Sequence, residues 1–119
     1  TYMAAKTTDE FIRTYFNKKS NITPNDAKAL GRKITLRSDW DKVKYDVMCS
    51  VVFDKFYRNI ELREKLLSTG NKHLSEDNHW GDNYWGLCDG KGENALGKIL
   101  MSVRKFWQDK NRDDAKQLF

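Results

Sequence analysis

From Leu74 to Gly86 the chain reads Leu74-Ser75-Glu76-Asp77-Asn78-His79-Trp80-Gly81-Asp82-Asn83-Tyr84-Trp85-Gly86, placing three acids, one histidine, two tryptophans and two glycines in thirteen positions. Indoles beside carboxylates suit a sugar or nucleobase site, because the rings stack and the acids bind hydroxyls or move protons. The plainer reading has both tryptophans filling a core and the acids capping turns, with His79 a polar loop residue rather than a catalyst. Lys6 stands among small residues, in Met3-Ala4-Ala5-Lys6-Thr7. Close packing there can desolvate the amine, and a desolvated amine becomes a nucleophile. Farther on, Asp89-Gly90-Lys91-Gly92-Glu93-Asn94 runs into a predicted helix. Glycines permit close backbone approach and a helix start offers free N–H groups, so a phosphate could dock there. The run matches neither the P-loop nor the dinucleotide fingerprint, and a turn followed by a cap is its plainer meaning.

The elements that must carry these residues are mostly helical. Phe11, Ile12, Tyr15 and Phe16 recur at helical spacing and predict a helix over 9–17. Thr23 as cap, Pro24 at the first helical position and Asp26 predict a short helix ending near Gly31. A longer helix is predicted after Ser38, with Asp41 as the acid three residues on, and runs to about Arg58. Its apolar face is Trp40, Val43, Val47, Met48, Val51, Val52 and Phe56. Lys44 lies four residues after Trp40 and Lys55 four after Val51, so both fall in that stripe. They either line an anionic pocket or carry their heads to water or to an acid. A further helix spans about 61–68, with Leu62, Leu66 and Leu67 inward and Gly70 as its stop. Residues 71–94 are loop-dominated, with brief strands expected around Leu74 and around Tyr84 to Cys88. A last helix starts at Asn94 and uses Leu96, Ile99, Leu100, Val103 and Trp107, and the charged tail beyond Asp109 is expected to fray.

Composition excludes several classes. The 119 residues carry 22 Lys and Arg against 17 Asp and Glu, a net charge of +5, and no apolar run approaches the length of a membrane span. Cys49 and Cys88 are too few for a disulfide framework, and with His73 and His79 they do not make up a zinc ligand set. A cytoplasmic protein without metal or other cofactor is therefore expected. Residues 1–33 hold 7 basic and 3 acidic groups, a modest bias that fits either a phosphate-bearing or nucleic-acid partner or a solvated surface.

Taken in order, these segments resemble the NADAR superfamily of YbiA-like proteins, from Tyr2 to about Arg104. The matching pieces are Tyr2-Met3-Ala4-Ala5-Lys6-Thr7, Ala27-Lys28-Ala29-Leu30-Gly31-Arg32, and Arg37-Ser38-Asp39-Trp40-Asp41 with Lys44 and Val47-Met48. Lys55-Phe56 and Leu66-Leu67-Ser68-Thr69-Gly70 follow. The most specific are Leu74-Ser75-Glu76, Trp80-Gly81-Asp82, Tyr84-Trp85-Gly86, and Gly92 through Met101 with Arg104. The resemblance implies a mainly α, α+β fold in one domain over 1–119, with short strands around the Trp-rich loop. It also implies that a family strand region ahead of the opening motif is missing from this chain.

By the same resemblance the protein is an N-glycosidase. Its substrate is either an ADP-ribosylated guanine, in DNA or RNA, or a ribosylaminopyrimidine phosphate of riboflavin synthesis. Position by position, Lys6, Glu76 and Asp82 become the catalytic residues, expected to meet on one ribose. Lys44 and Lys55 fall to the phosphate or ribose side, and Trp80, Trp85 and Asn94 shape the pocket. The alternatives are a non-catalytic ADP-ribose or nucleotide-binding module, a nucleic-acid-binding protein, and a Trp-rich loop serving as a protein interface.

Overall fold

The computed structural model describes residues 2–6, 23, 25, 28 and 36–117. The helices predicted over 9–17 and from Thr23 to Gly31 lie outside the described residues, apart from Thr23, Asn25 and Lys28. The chain divides into two units, Thr1–Val51 and Val52–Phe119. Among the described residues the architecture is mainly helical with one small sheet. The helices are α1 (Tyr2–Ala5), α2 (Trp40–Arg58), α3 (Ile60–Ser68) and α4 (Ala95–Gln117), and the strands are β1 (Asp77–Asn78) and β2 (Leu87–Cys88).

In the first unit α1 is a single turn, with Lys6 directly after it. The Lys6 carbonyl accepts the Arg37 N–H at 2.8 Å, and the Tyr2 ring meets the buried Trp40 ring edge-on at 5.3 Å. The start of α2 falls one residue later than Ser38 predicts. The Asp39 carbonyl accepts the first helical bonds, from Lys42 and Val43, so Asp39 occupies the cap position.

In the second unit α3 packs on α4. Leu66 of α3 is buried, and α4 buries Ala95, Ile99, Val103 and Trp107, which recur every three or four residues and line one face. Arg63 of α3 stacks its guanidinium 3.7 Å from the centre of the Trp107 ring while donating to the carbonyls of Phe56 and Tyr57. One arginine thus satisfies two of the open C-terminal carbonyls of α2 and covers the indole. Gly70 follows α3 with φ of +63°, the left-handed turn its prediction as a stop requires. The buried Arg104 donates to Thr69 Oγ1 and Gln108 donates to the Gly70 carbonyl, which ties this turn to α4.

Two expectations are corrected. Lys55 is exposed: past Val51 the buried side of α2 passes through Val52, with Phe53 and Phe56 half-buried, and one residue off that line turns the side chain about 100° away. The tail beyond Asp109 does not fray within the described residues but continues α4 to Gln117. Its residues include good helix formers with no Gly or Pro, and Asp109 pairs with Lys105 at i−4 and Arg112 at i+3.

Ile99 is fully buried and Asp113 is exposed. Ile99→Ala is therefore expected to lower the unfolding free energy by about 3 kcal/mol in urea titration, and Asp113→Ala by less than about 0.5 kcal/mol. Equal losses would contradict this burial pattern.

Candidate functional site

The Trp-rich segment is built on the start of α4. A helix begins with amides that have no partner inside it, and here they are met by the loop. Ala95 donates to the Tyr84 carbonyl at 2.9 Å and Leu96 to the Trp85 carbonyl at 2.9 Å. Just ahead of the helix, Glu93 donates to the Asn83 carbonyl and Asn94 to that of Gly86. Residues 83–86 are thus pinned against the helix start. Of the two readings of residues 89–94, these bonds favour the turn and cap over a docked phosphate, because the first two helical amides are already spent on loop carbonyls.

Asn94 is buried and has φ of +52°, a backbone region that asparagine tolerates better than most residues. Its side-chain oxygen accepts the Glu76 N–H at 3.1 Å, and its amide nitrogen donates to the Leu74 carbonyl at 2.9 Å. The cap predicted at this position thus clamps the segment that carries Glu76. Two glycines make room for the arrangement. A side chain at Gly86 would collide with the carboxylate and carbonyl of Glu76, and one at Gly92 would sit 2.6 Å from the carbonyl oxygens of Asn83 and Gly86.

Strands β1 and β2 run parallel, pairing Asp77 with Leu87 and Asn78 with Cys88. Parallel strands ordinarily need a crossover of a dozen or more residues, and this one has only 79–86. Side chains supply what so short a connection lacks. Asn78, 1% exposed, donates through Nδ2 to the Asp82 carbonyl at 2.8 Å and accepts the Asp82 N–H on Oδ1 at 3.1 Å. Asp82 then accepts the Tyr84 and Trp85 N–H groups on Oδ1, at 3.2 and 2.9 Å. Beyond β2, Asp89 and Gly90 both have positive φ in the tight turn from Cys88 to Lys91, whose amides and carbonyls bond to each other.

The structure brings Glu76 and Asp82 together through Asn78, whose Nδ2 also lies 3.4 Å from Glu76 Oε2. Both acids are half-buried. Trp85 is half-buried and meets Tyr84 edge-on at 4.7 Å, whereas Trp80 is 69% exposed, so the reading that both tryptophans fill a core fails for Trp80. A pocket of about 470 Å³ beside the loop is lined by Asn83, Tyr84, Cys88, Lys91, Gly92 and Glu93. A second, of about 490 Å³, includes Leu66, Thr69, His73, Leu74, Ser75 and Leu100. Neither is lined by Glu76 or Asp82. The acids are oriented by hydrogen bonds and not by either concavity.

Lys6 and Lys44 belong to the first unit. The Lys6 ammonium lies 5.4 Å from the centre of the Tyr2 ring, and Lys44 pairs with Asp41 of its own helix at 3.3 Å. Arg37 holds Asp39 through two hydrogen bonds, of 2.5 and 3.0 Å, while its backbone holds the Lys6 carbonyl. Sequence reasoning gave no role to Arg37, Asp39 or Asn78. The available signal for Asn78 was its place two residues after Glu76, a spacing that puts both side chains on one face wherever the backbone is extended. Among the described residues no group of three or more His, Cys, Asp and Glu side chains could hold a metal ion, and no helix is long and apolar enough to cross a membrane.

Residues 1–107 match the NADAR domain. The chain belongs to the NADAR family. It is 49% identical over 86 residues to an N-glycosidase of Nostoc punctiforme, covering 70% of this chain and 54% of that protein. It is 43% identical over 74 residues to a riboflavin biosynthesis protein of Vibrio vulnificus, covering 61% of this chain and 20% of that one. The NMR structure of the E. coli protein YbiA superposes with a TM-score of 0.80 at 35% identity, covering 92% of this chain and 66% of that one. The NADAR chain described here thus spans less than two thirds of the length of each of these relatives.

Two predictions follow from this geometry. Asn94→Ala loses two side-chain bonds and sets alanine at positive φ, and is expected to cost about 3 kcal/mol in urea unfolding. Asn94→Gly should recover about 1 kcal/mol of that, the backbone share, and an identical cost for both variants would remove the strain argument. The second concerns pH. The hydrogen-bonded Arg37 guanidinium holds the Asp39 carboxyl below its usual range. A carboxyl depressed by folding adds stability above its unfolded value near 4, and that stability is lost as pH falls through the folded value. The turn that holds Lys6 is thus expected to loosen only in acid below about pH 4. A carboxyl-carbon NMR titration should find the Asp39 midpoint rising in Arg37→Gln, and an unmoved midpoint would exclude the pairing.

Proposed function

We propose that the protein is an N-glycosidase that hydrolyses the C1′–N bond of a ribosyl phosphate or an ADP-ribosylated nucleobase. The observation that carries this reading is the pair of acids, Glu76 and Asp82, tied by one buried asparagine inside the segment that matches the family most specifically. The name of the Nostoc relative supports the reaction class, and that of the Vibrio relative supports a ribosylaminopyrimidine phosphate as one substrate.

An N-glycosidic bond breaks through an oxocarbenium-like transition state, in which positive charge grows at the anomeric carbon and negative charge on the leaving nitrogen. One of the two acids stabilises that carbon or activates water, and the other assists the base. Asp82 has Oδ1 turned to two backbone amides, so its orientation is fixed before substrate arrives, a condition for electrostatic catalysis. Water adds at C1′ as the base leaves, and Lys6 is assigned the amine that condenses with the aldehyde of the opened sugar, forming an imine and releasing water. Water then hydrolyses the imine and restores the amine, so the net reaction is addition of water across the C1′–N bond. Trp80 and Trp85 are assigned to stacking on the base, Asn94 to shaping the pocket, and Lys44 and Lys55 to the phosphate or ribose. The free thiols Cys49 and Cys88 fit a cytoplasmic setting.

The test is release of free base from ADP-ribosylated guanine in DNA and, separately, from a ribosylaminopyrimidine phosphate. Lys6→Ala is expected to abolish turnover together with any borohydride-trapped adduct. Glu76→Gln is expected to lower kcat by about 100-fold or more. Full activity of either variant would strike that residue from the mechanism, and no release from either substrate by the unaltered protein would end the reading.

A further inference from the structure

Asn78 is polar, in a two-residue strand, and 1% exposed. A buried carboxamide needs partners for its oxygen and both its N–H groups, and each one left unmade is costly. The backbone of Asp82 decides which way the amide faces. Its N–H must meet Oδ1 and its carbonyl must meet Nδ2, since the reverse would set two donors and two acceptors against each other. With that orientation fixed, the remaining Nδ2 proton is left for Glu76 Oε2, 3.4 Å away. Glu76 is constrained from other sides as well. Its N–H is held by Asn94, its carbonyl by Leu87 at 2.7 Å, and its carboxylate lies over Gly86. Among the described residues Asn78 is the one side chain that bonds both to Glu76 and to Asp82.

We propose that Asn78 is the positioning residue of this site, setting the Glu76 carboxylate in register with the Asp82 loop. The inference rests on reading the two acids as the reacting pair. Glu76, just ahead of β1, and Asn78 within it meet side chain to side chain, the short connection returns Asp82 to the same place, and one carboxamide locks the three. Reacting groups must be held to within a fraction of an ångström, and misplacement by about 1 Å can cost about 100-fold in rate.

Asn78→Asp keeps the acceptor for the Asp82 N–H and removes both donors. With whichever ribosylated substrate the unaltered protein cleaves, it is expected to lower kcat about 10- to 100-fold with KM changed less than about threefold. In a Glu76→Gln background the same change should cost clearly less, because the Glu76 share of its effect is gone and only the hold on the Asp82 loop is left to lose. Losses that multiply in the double variant, or that merely follow the unfolded fraction, would overturn the inference. A second measurement does not depend on catalysis. The Asn78 side-chain NH2 resonances are expected to shift in Glu76→Gln and to stay in place in a control variant of the exposed Glu61. A wild type that releases no base overturns the underlying reading, whereas an active wild type whose Asn78 amide ignores Glu76 overturns this inference alone.

Discussion

The first two amides of α4 have no partner inside the helix and find one each in the carbonyls of Tyr84 and Trp85, while Glu93 and Asn94 just ahead of it bond to those of Asn83 and Gly86. Much of the candidate site follows from that. With 83–86 fixed to the helix, Gly86 comes under Glu76, and Leu87 meets the Glu76 carbonyl. Asn94, at the hinge between loop and helix, holds the Glu76 segment from the other side. The helix is anchored in turn by the buried face of Ile99, Val103 and Trp107 against α3. An apolar stripe thereby carries positional accuracy to two carboxylates that lie outside the core.

This chain of dependence explains why the Gly, Asn and Trp residues occur where they do. Gly92 is needed because two loop carbonyls approach its α-carbon, and Asn94 combines positive φ with a side chain that can both donate and accept. Buried asparagines take the place of the longer crossover that two parallel strands would ordinarily require. The same network leaves the Trp80 indole outward, as suits a ring available for stacking. In the first unit a smaller version of the principle operates. Arg37 spends its side chain on Asp39 and its backbone N–H on the Lys6 carbonyl, which ties the opening motif to the motif before α2.

Much of the fold was legible in the sequence because it rests on periodicity. The limits of α3, the inward leucines, the Gly70 stop and the buried face of α4 all follow from spacing and from residues with a single conformational use. The exceptions have physical causes. Lys55 looked inward because Val51, four residues earlier, is apolar, but the buried line had already moved to Val52 and Phe56. The charged tail looked frayed because it has no apolar stripe, yet i,i+3 and i,i+4 pairs accompany a continued helix. The site was legible as a list of residue types carried by resemblance, but its wiring was not. Which carbonyl meets which amide depends on the path of a short irregular loop, and no period in the sequence encodes it. Asn78 escaped for that reason, since its importance lies in partners four residues away and across a strand.

A structure of Glu76→Gln bound to an uncleaved ribosylated base tests the account most directly. The expected result is the anomeric carbon about 3 to 4 Å from the side chains at 76 and 82, with the base against an indole of Trp80 or Trp85. A ribose bound elsewhere on the protein, with both side chains turned to water, would contradict it.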